Sequence, residues 1–231
     1  MKLSKDNVLV VGDSHLPFEL SGYLQFVKQT QEKYGCGIIV HIGDLVDNHA
    51  ISYHEHDPNG KSPVEEMNEA DKHLKEWFNT FPELYLCRGN HDSLVDRKSK
   101  TAGLPDRAFK QFREIWNLPE KWKDAFEFEF HGVIYTHGTA FSGLYGHVSA
   151  AAANRQSTVI GHLHSIAGIE WSANPKDCMF GMAVGCGIDR KAYAFEYGRD
   201  FKRKPVISCG VVLDKGKYPL IVPMNLGRIR I

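Results

Sequence analysis

No stretch of this chain approaches the roughly 18 consecutive apolar residues of a membrane-spanning helix, and its first six residues hold no apolar leader region. A soluble, cytoplasmic protein is the expectation, with no membrane partner. Cysteine is sparse. Cys36, Cys87, Cys178, Cys186 and Cys209 are odd in number and contain no C-x-x-C pair, so buried free thiols in a reducing compartment fit better than a disulfide framework. An excess charge of either sign is also missing: 28 basic residues meet 28 acidic ones, which excludes an overall basic chain but not a local basic patch. There is no G-x-S-x-G elbow and no cysteine beside an activating group, so a protein nucleophile is not expected. Internal repeats and low-complexity linkers are absent as well.

What the chain has is enough apolar residue, 42% of its 231, to build a large core without crosslinks, and its length suits one domain over 1–231. Residues 7–90 alternate strand and helix. Tyr23, Phe26, Val27, Thr30 and Tyr34 share one helical face that Gly35 ends. Ser62, Pro63 and Glu65 spell a capping box with proline at the first helical position. The stripe Val64, Met67, Ala70, Leu74, Trp77, Phe78 and Phe81 follows as core packing. A further helix is expected within 104–118, stopped by Pro119. Phe126, Phe128 and Phe130 alternate with glutamates, and His131-Gly132 turns them into Val133-Ile134-Tyr135, a hairpin. The alanine-rich 148–153 segment reads as a short helix packed closely on a sheet. Strands near 166–171, 178–184, 205–213 and 218–223 complete the chain. Helices early and strands late favour two packed sheets flanked by helices over a single doubly wound sheet.

Short apolar runs lead repeatedly into potential metal ligands. Val8–Val11 leads to Asp13 and His15, Ile38–Val40 to Asp44, Leu84–Cys87 to Asn90 and His91, Val133–Tyr135 to His137, and Val159-Ile160 to His162 and His164. Functional groups in α/β sheets gather beyond the carboxyl ends of strands. Five strand ends that each deliver a ligand supply enough hard and borderline donors for two divalent ions.

In order, the blocks are Asp13-Ser14-His15, Gly43-Asp44-Leu45-Val46-Asp47, Gly89-Asn90-His91-Asp92, His137-Gly138 and Gly161-His162-Leu163-His164. This set resembles the calcineurin-like metallophosphoesterases, over roughly residues 8–165 and less distinctly to the C-terminus. The resemblance implies an α/β fold, a four-layer α/β/β/α sandwich of two mixed β-sheets flanked by helices. It also implies Asp44 as a carboxylate bridging two metals. Asp13, His15 and His164 would complete one site, and Asn90, His137 and His162 the other. Imidazole with carboxylate suits two divalent transition-metal ions, Mn²⁺ first, with Fe, Ni²⁺ or Zn²⁺ as alternatives, better than Mg²⁺ or Ca²⁺.

The implied reaction is hydrolysis of a phosphate ester by a metal-bridging hydroxide. His91 is expected to protonate the leaving oxygen, with Asp92 orienting its ring or raising its pKa; the alternative is that His91 only packs. Asp47 would orient a ligand histidine. Arg88 stands where the protein Ser/Thr phosphatase branch grips phosphate, with a structural salt bridge as the other reading. Asn48 replaces that branch's second arginine, which speaks against a protein phosphatase. Monoester and diester substrates both stay open, including nucleotides, DNA and RNA. A non-catalytic binding module that keeps the fold is the reading from another class, and the intact ligand set weighs against it.

Three features lie outside the motifs. The segment 48–60, with His49, Tyr53, His54 and His56, is expected to line the substrate entrance as a polar loop. Basic residues cluster at Arg97, Lys98, Lys100, Arg107, Lys110 and Arg113, and again at Arg190, Lys191, Arg199, Lys202, Arg203 and Lys204, as solvated surface or as a rim for a polyanion. His41 reads as a satisfied core histidine, His73 and His147 as ordinary helix residues, and His131 as a turn residue.

Overall fold

Four apolar residues in a row, Val8–Val11, close the first strand. In the computed structural model, which describes residues 3–53, 60–189, 191–192 and 202–225, all four are fully buried. Leu9 and Val11 join one core cluster, Val8 and Val10 another. Successive strand residues point to opposite faces, so an unbroken apolar run marks a strand covered on both sides. Each such side chain contributes about 1.5–3 kcal/mol on burial. That makes the strand a firm base for the loop that follows it.

Along the chain come β1 (Ser4–Val11), α1 (Tyr23–Tyr34), β2 (Cys36–His41), α2 (Pro63–Thr80), β3 (Leu84–Cys87), α3 (Leu94–Thr101), α4 (Phe112–Ile115) and β4 (Trp122–Ala125). Next are β5 (Glu127–Phe130), β6 (Val133–Thr136), α5 (Gly146–Asn154), β7 (Thr158–Ile160), β8 (Ala167–Ala173) and β9 (Cys178–Val184). β10 (Ser208–Leu213) and β11 (Tyr218–Pro223) are the last described strands. The first sheet has the order β11-β10-β1-β2-β3-β4 and the second β5-β6-β7-β9-β8. Both are mixed. β1 to β4 are parallel, β10 pairs antiparallel with β1 and β11 antiparallel with β10; β6, β7 and β9 are parallel with β5 and β8 antiparallel.

Three clusters separate the layers. Tyr23 and Val27 of α1 and Ala70, Leu74 and Trp77 of α2 pack on one face of the first sheet. Val8, Val10 and Val40 of that sheet meet Tyr135, Val159, Phe180 and Met182 of the second. Ala150 of α5 covers the outer face of the second sheet against Ile160 and Ala183. This is the four-layer α/β/β/α sandwich. Among the described residues no helix is long and apolar enough to cross a membrane.

Local signals in the sequence are realised as bonds. Ser62 and Glu65 form the reciprocal capping box, and the N–H of left-handed Gly35 donates to Gln31 and Glu32 carbonyls. His131 and Gly132, both at positive φ, turn the β5–β6 hairpin. Two expectations fail, one is met only in part, and two elements, α3 and β4, are unforeseen. Only a 3-10 turn at Asp106–Ala108 and the four-residue α4 stand in 104–118, while the helix of this region is α3, read in the sequence as a basic run. Only Leu94 and Ser99 of α3 are buried, so it carries no apolar period to detect. Val64 is 66% exposed, because the buried stripe of α2 starts at Glu66 and residues two apart lie on opposite faces. Finally, all five cysteines are free, but Cys178, at the tip of β9, is exposed. β4 was not anticipated either; of its four residues only Trp122 is buried.

Candidate metal centre

Because β1, β2 and β3 are parallel, their carboxyl ends fall on one side of the first sheet, and β6 and β7 do the same for the second. The loops leaving these ends bring together Asp13, His15, Asp44, Asn90, His137, His162 and His164. Ligand atoms of Asp13, His15, Asp44 and His164 lie within 4.8 Å of one another, and so do those of Asp44, His137 and His162. Asp44 is common to both groups. Its Oδ2 is 3.1 Å from His137 Nε2 and 3.7 Å from His15 Nε2. Asn90 Oδ1 lies 3.0 Å from His137 Nε2, and Asp13 Oδ2 lies 3.0 Å from His164 Nε2.

The turns that aim these groups are strained. His15, Asp44 and His162 have φ of 51°, 48° and 62°, in the left-handed region that side-chain-bearing residues seldom adopt. The glycines of two blocks are there for close approach. A Cβ on Gly89 would collide with the Asp44 carboxylate, and one on Gly161 with Asp13 Oδ1 and the Ile42 side chain. Both positions must stay bare for the carboxylates to sit where they do.

Outer partners fix the histidine tautomers. His137 Nδ1 is 3.1 Å from the Ile42 carbonyl, which can only accept, so this nitrogen carries the proton. His15 Nδ1 is 2.6 Å from Asp47 Oδ1 and donates likewise. The inward Nε2 atoms therefore present lone pairs. His137 Nε2 faces oxygens of Asp44 and Asn90, while His15 Nε2 is 3.1 Å from His164 Nε2. Asp13 Oδ1 is buried without a hydrogen-bond partner. Lone pairs converging on lone pairs repel unless positive charge lies among them, so this donor set fits divalent cations. At His137 a proton on Nε2 can take the place of that positive charge. Burial opposes charge there, yet the Asp44 and Asp13 carboxylates lift its pKa to about 9. His41, by contrast, is held down to about 3 by burial; it accepts from Gly43 N–H at Nδ1 and bonds Ser14 Oγ through Nε2, a satisfied core histidine.

His91 Nδ1 is 2.6 Å from the Asp47 carbonyl and 3.1 Å from Asp47 Oδ1. Asp47 thus orients both His15 and His91. Burial alone would raise its carboxyl, but the hydrogen bonds and charge of these two histidines outweigh that and hold it well below the carboxylate range. Burial opposes charge on His91 too, and Asp44 and Asp47 overcome it, lifting its pKa to about 10. Asp92 does not meet the His91 ring. Its carboxylate accepts from Gly89 N–H and Val46 N–H, stapling the G-N-H-D turn to the Asp44 loop, and burial with the nearby Asp44 charge raises its pKa to about 7. Arg88 lies over the Phe126 ring, 4.5 Å from its centroid, with Nε 3.7 Å from Asp124, which also binds Arg113. Those contacts are those of a structural salt bridge.

The segment after Asp47 differs from the polar entrance loop expected. His49 and Ser52 are buried, Tyr53 is exposed, and His54 and His56 lie outside the described residues. The cause is Glu66, which sequence reasoning missed although a carboxylate four residues before Ala70 interrupts the α2 stripe. It is 3% exposed, and its two oxygens accept from His49 N–H at 2.7 Å and Ala50 N–H at 2.8 Å. Burial pushes its carboxyl up to about 7. The turn it clamps places Asn48, whose Nδ2 donates to the His91 carbonyl at 3.0 Å. Glu66→Ala should therefore leave two inward N–H groups without acceptors and lower stability by about 2–4 kcal/mol in chemical denaturation. An unchanged unfolding midpoint would remove Glu66 from this role.

The open side of the centre is set by burial. Asp13, His15, Asp44, Asp47 and His137 are enclosed, whereas Asn90, His91, His162 and His164 are half-buried. These four residues face solvent at the open side of the cluster.

A family model described as calcineurin-like phosphoesterase matches residues 7–180 of the chain. No curated protein matches it. Among solved structures, an archaeal phosphodiesterase is similar with a TM-score of 0.48 and 12% identity, covering 94% of this chain and 99% of its own. Vacuolar protein sorting 29 from Cryptosporidium parvum follows at 0.45 and 13%, covering 95% and 97%. The E. coli phosphoesterase Yfce stands at 0.43 and 15%, covering 95% and 100%.

Proposed function

The chain belongs to the calcineurin-like phosphoesterases, and on that ground we propose that it hydrolyses phosphate esters at a two-metal centre. Asp13, His15 and His164 would hold one ion, Asn90, His137 and His162 the other, with Asp44 common to both. The observation that supports this is the gathering of Asp44 Oδ2, His137 Nε2 and His15 Nε2 around one point, a crowding of donor atoms that a divalent cation relieves. Bound there, two divalent ions supply a water acidified to near neutral pH and offset charge on the phosphoryl oxygens. The imidazole-rich donor set favours Mn²⁺, with Fe, Ni²⁺ or Zn²⁺ behind it.

The chain's own part is positioning and proton transfer. Because His91 Nδ1 is committed to Asp47, Nε2 is the ring nitrogen that gives a proton to the leaving oxygen. Its backbone N–H donates to Asp44 Oδ1 at 2.8 Å, so the acid and the shared carboxylate hold a fixed separation. Arg88 is proposed as a prop for the β3 end through Asp124 and Phe126 rather than as a phosphate clamp. Five free thiols, four of them buried, favour a reducing compartment such as the cytoplasm.

The test compares mono- and bis-nitrophenyl phosphate with Mn²⁺ added. We expect hydrolysis of at least one, lost on chelation and restored by metal. A protein that binds Mn²⁺ yet cleaves neither would favour the binding-module reading.

A further inference from the structure

We propose that Tyr53, Arg97 and Lys98 form a plate that binds a nucleotide as the leaving group. This rests on the phosphoesterase reading and on His91 as the residue that protonates the departing oxygen. Tyr53 is 57% exposed, and two cations lie against its ring: Lys98 Nζ at 4.0 Å from the centroid and Arg97 Cζ at 5.2 Å. Lys98 Nζ also donates to the Ser52 carbonyl at 3.4 Å, which ties the ring's own segment to α3.

Two cations on one ring separate this cluster from the other cation–aromatic contacts among the described residues, and several basic residues elsewhere are paired with carboxylates. Arg88 and Arg113 share Asp124, and Lys121 pairs with Glu83. Among the described residues no carboxylate pairs with Arg97 or Lys98. Two cations held together at an aromatic ring, with no carboxylate partner among the described residues, make a site for an anion joined to a flat group.

Its place relative to the chemistry follows from the bonds. Leu94 N–H, which opens α3, donates to the His91 carbonyl at 3.1 Å. Asn48 Nδ2, at the head of the turn leading to Tyr53, donates to the same carbonyl. Both arms of the plate therefore hang from His91. Arg97 and Lys98 stand one helical turn beyond Leu94, about 5 Å along the axis. The residue that protonates the leaving oxygen and the plate occupy the same side of the centre, so the plate meets the part of the substrate that departs. A base stacks on the open surface of Tyr53 or on the Arg97 guanidinium, and a phosphate takes the two cations.

The first arm measures binding of etheno-AMP, a fluorescent nucleotide, by titration. Tyr53→Ala and the pair Arg97→Ala, Lys98→Ala should each weaken it about tenfold, and Tyr53→Phe should retain it. The second arm compares a dinucleotide carrying a terminal phosphate with bis-nitrophenyl phosphate, whose leaving group has neither base nor second phosphate. The same variants should raise KM for the dinucleotide at least about fivefold more than for the nitrophenyl ester. Equal changes on both substrates, or unchanged etheno-AMP affinity, would overturn the plate. A wild-type protein that cleaves neither substrate defeats the phosphoesterase reading instead, and the binding arm still decides the plate. Longer single-stranded oligonucleotides distinguish the source: affinity rising with length indicates a strand end, and constant affinity a free nucleotide.

Discussion

Asp44→Asn is expected to lower metal content by at least one ion per chain and turnover by about 10³-fold, the equivalent of some 4 kcal/mol in the barrier. The side chain keeps its shape, so the loss comes from charge. Asp44 Oδ2 faces imidazole nitrogens from both groups of ligands, and an amide there offers either one neutral oxygen or an N–H that points at lone pairs. The bond from the His91 backbone N–H to Asp44 Oδ1 would also weaken, or be lost if the amide nitrogen took that position. Elemental analysis of the purified variant beside the wild type reads the first effect, and kcat on nitrophenyl esters the second. Full metal occupancy with unaltered turnover would remove Asp44 from the centre. Asp92→Asn is the matched control. It alters a nearby buried carboxylate that bonds only backbone N–H groups, and it should leave metal content close to the wild-type level.

The second large effect concerns His91→Ala. Turnover on esters with poor leaving groups should fall by about 10²–10⁴-fold. Esters of nitrophenol, whose oxyanion departs without a proton, should suffer far less. Metal content should hold, because the His91 ring belongs to neither group of donor atoms around Asp44 and its Nδ1 is taken by Asp47. If all leaving groups lose equally, the ring acts on something other than the departing oxygen. Asp47→Asn provides a second view. It disturbs His15 and His91 together, so a metal defect and a leaving-group defect should appear in one variant, where His91→Ala shows only the second.

Much of this arrangement is legible in the amino-acid sequence. The apolar runs ahead of Asp13, Asp44, Asn90, His137 and His162 identify the strands, and their all-apolar character at Val8–Val11 betrays burial on both faces. The capping box at Ser62 and the turn at His131-Gly132 depend on neighbours in sequence, and both were read correctly. What escaped depends on contacts distant in sequence. Asp92 adjoins His91 in the chain and was assigned to its ring, but Asp47, from the other side of the turn, holds that position. The burial of His49 follows from Glu66, seventeen residues further on, whose isolated charge in an apolar stripe was the one visible hint. α3 was hidden for the opposite reason: with a nearly all-polar surface it gives no period to detect, while 104–118 gives scattered aromatic residues that anchor short turns.

The ligands come from both sheets: Asp13, Asp44 and Asn90 follow strands of the first, and His137, His162 and His164 follow strands of the second. Among the described residues no crosslink beyond the chain itself fixes those sheets against each other; the side chains interleaved between them, Val10 and Val40 against Val159 and Met182, set their spacing. The gap between the sheets would therefore also gauge the proposed metal centre. A methyl group gained or lost deep in that layer would shift one group of donor atoms against the other, so residues with no polar atom and no path to solvent would share in setting the geometry of that centre.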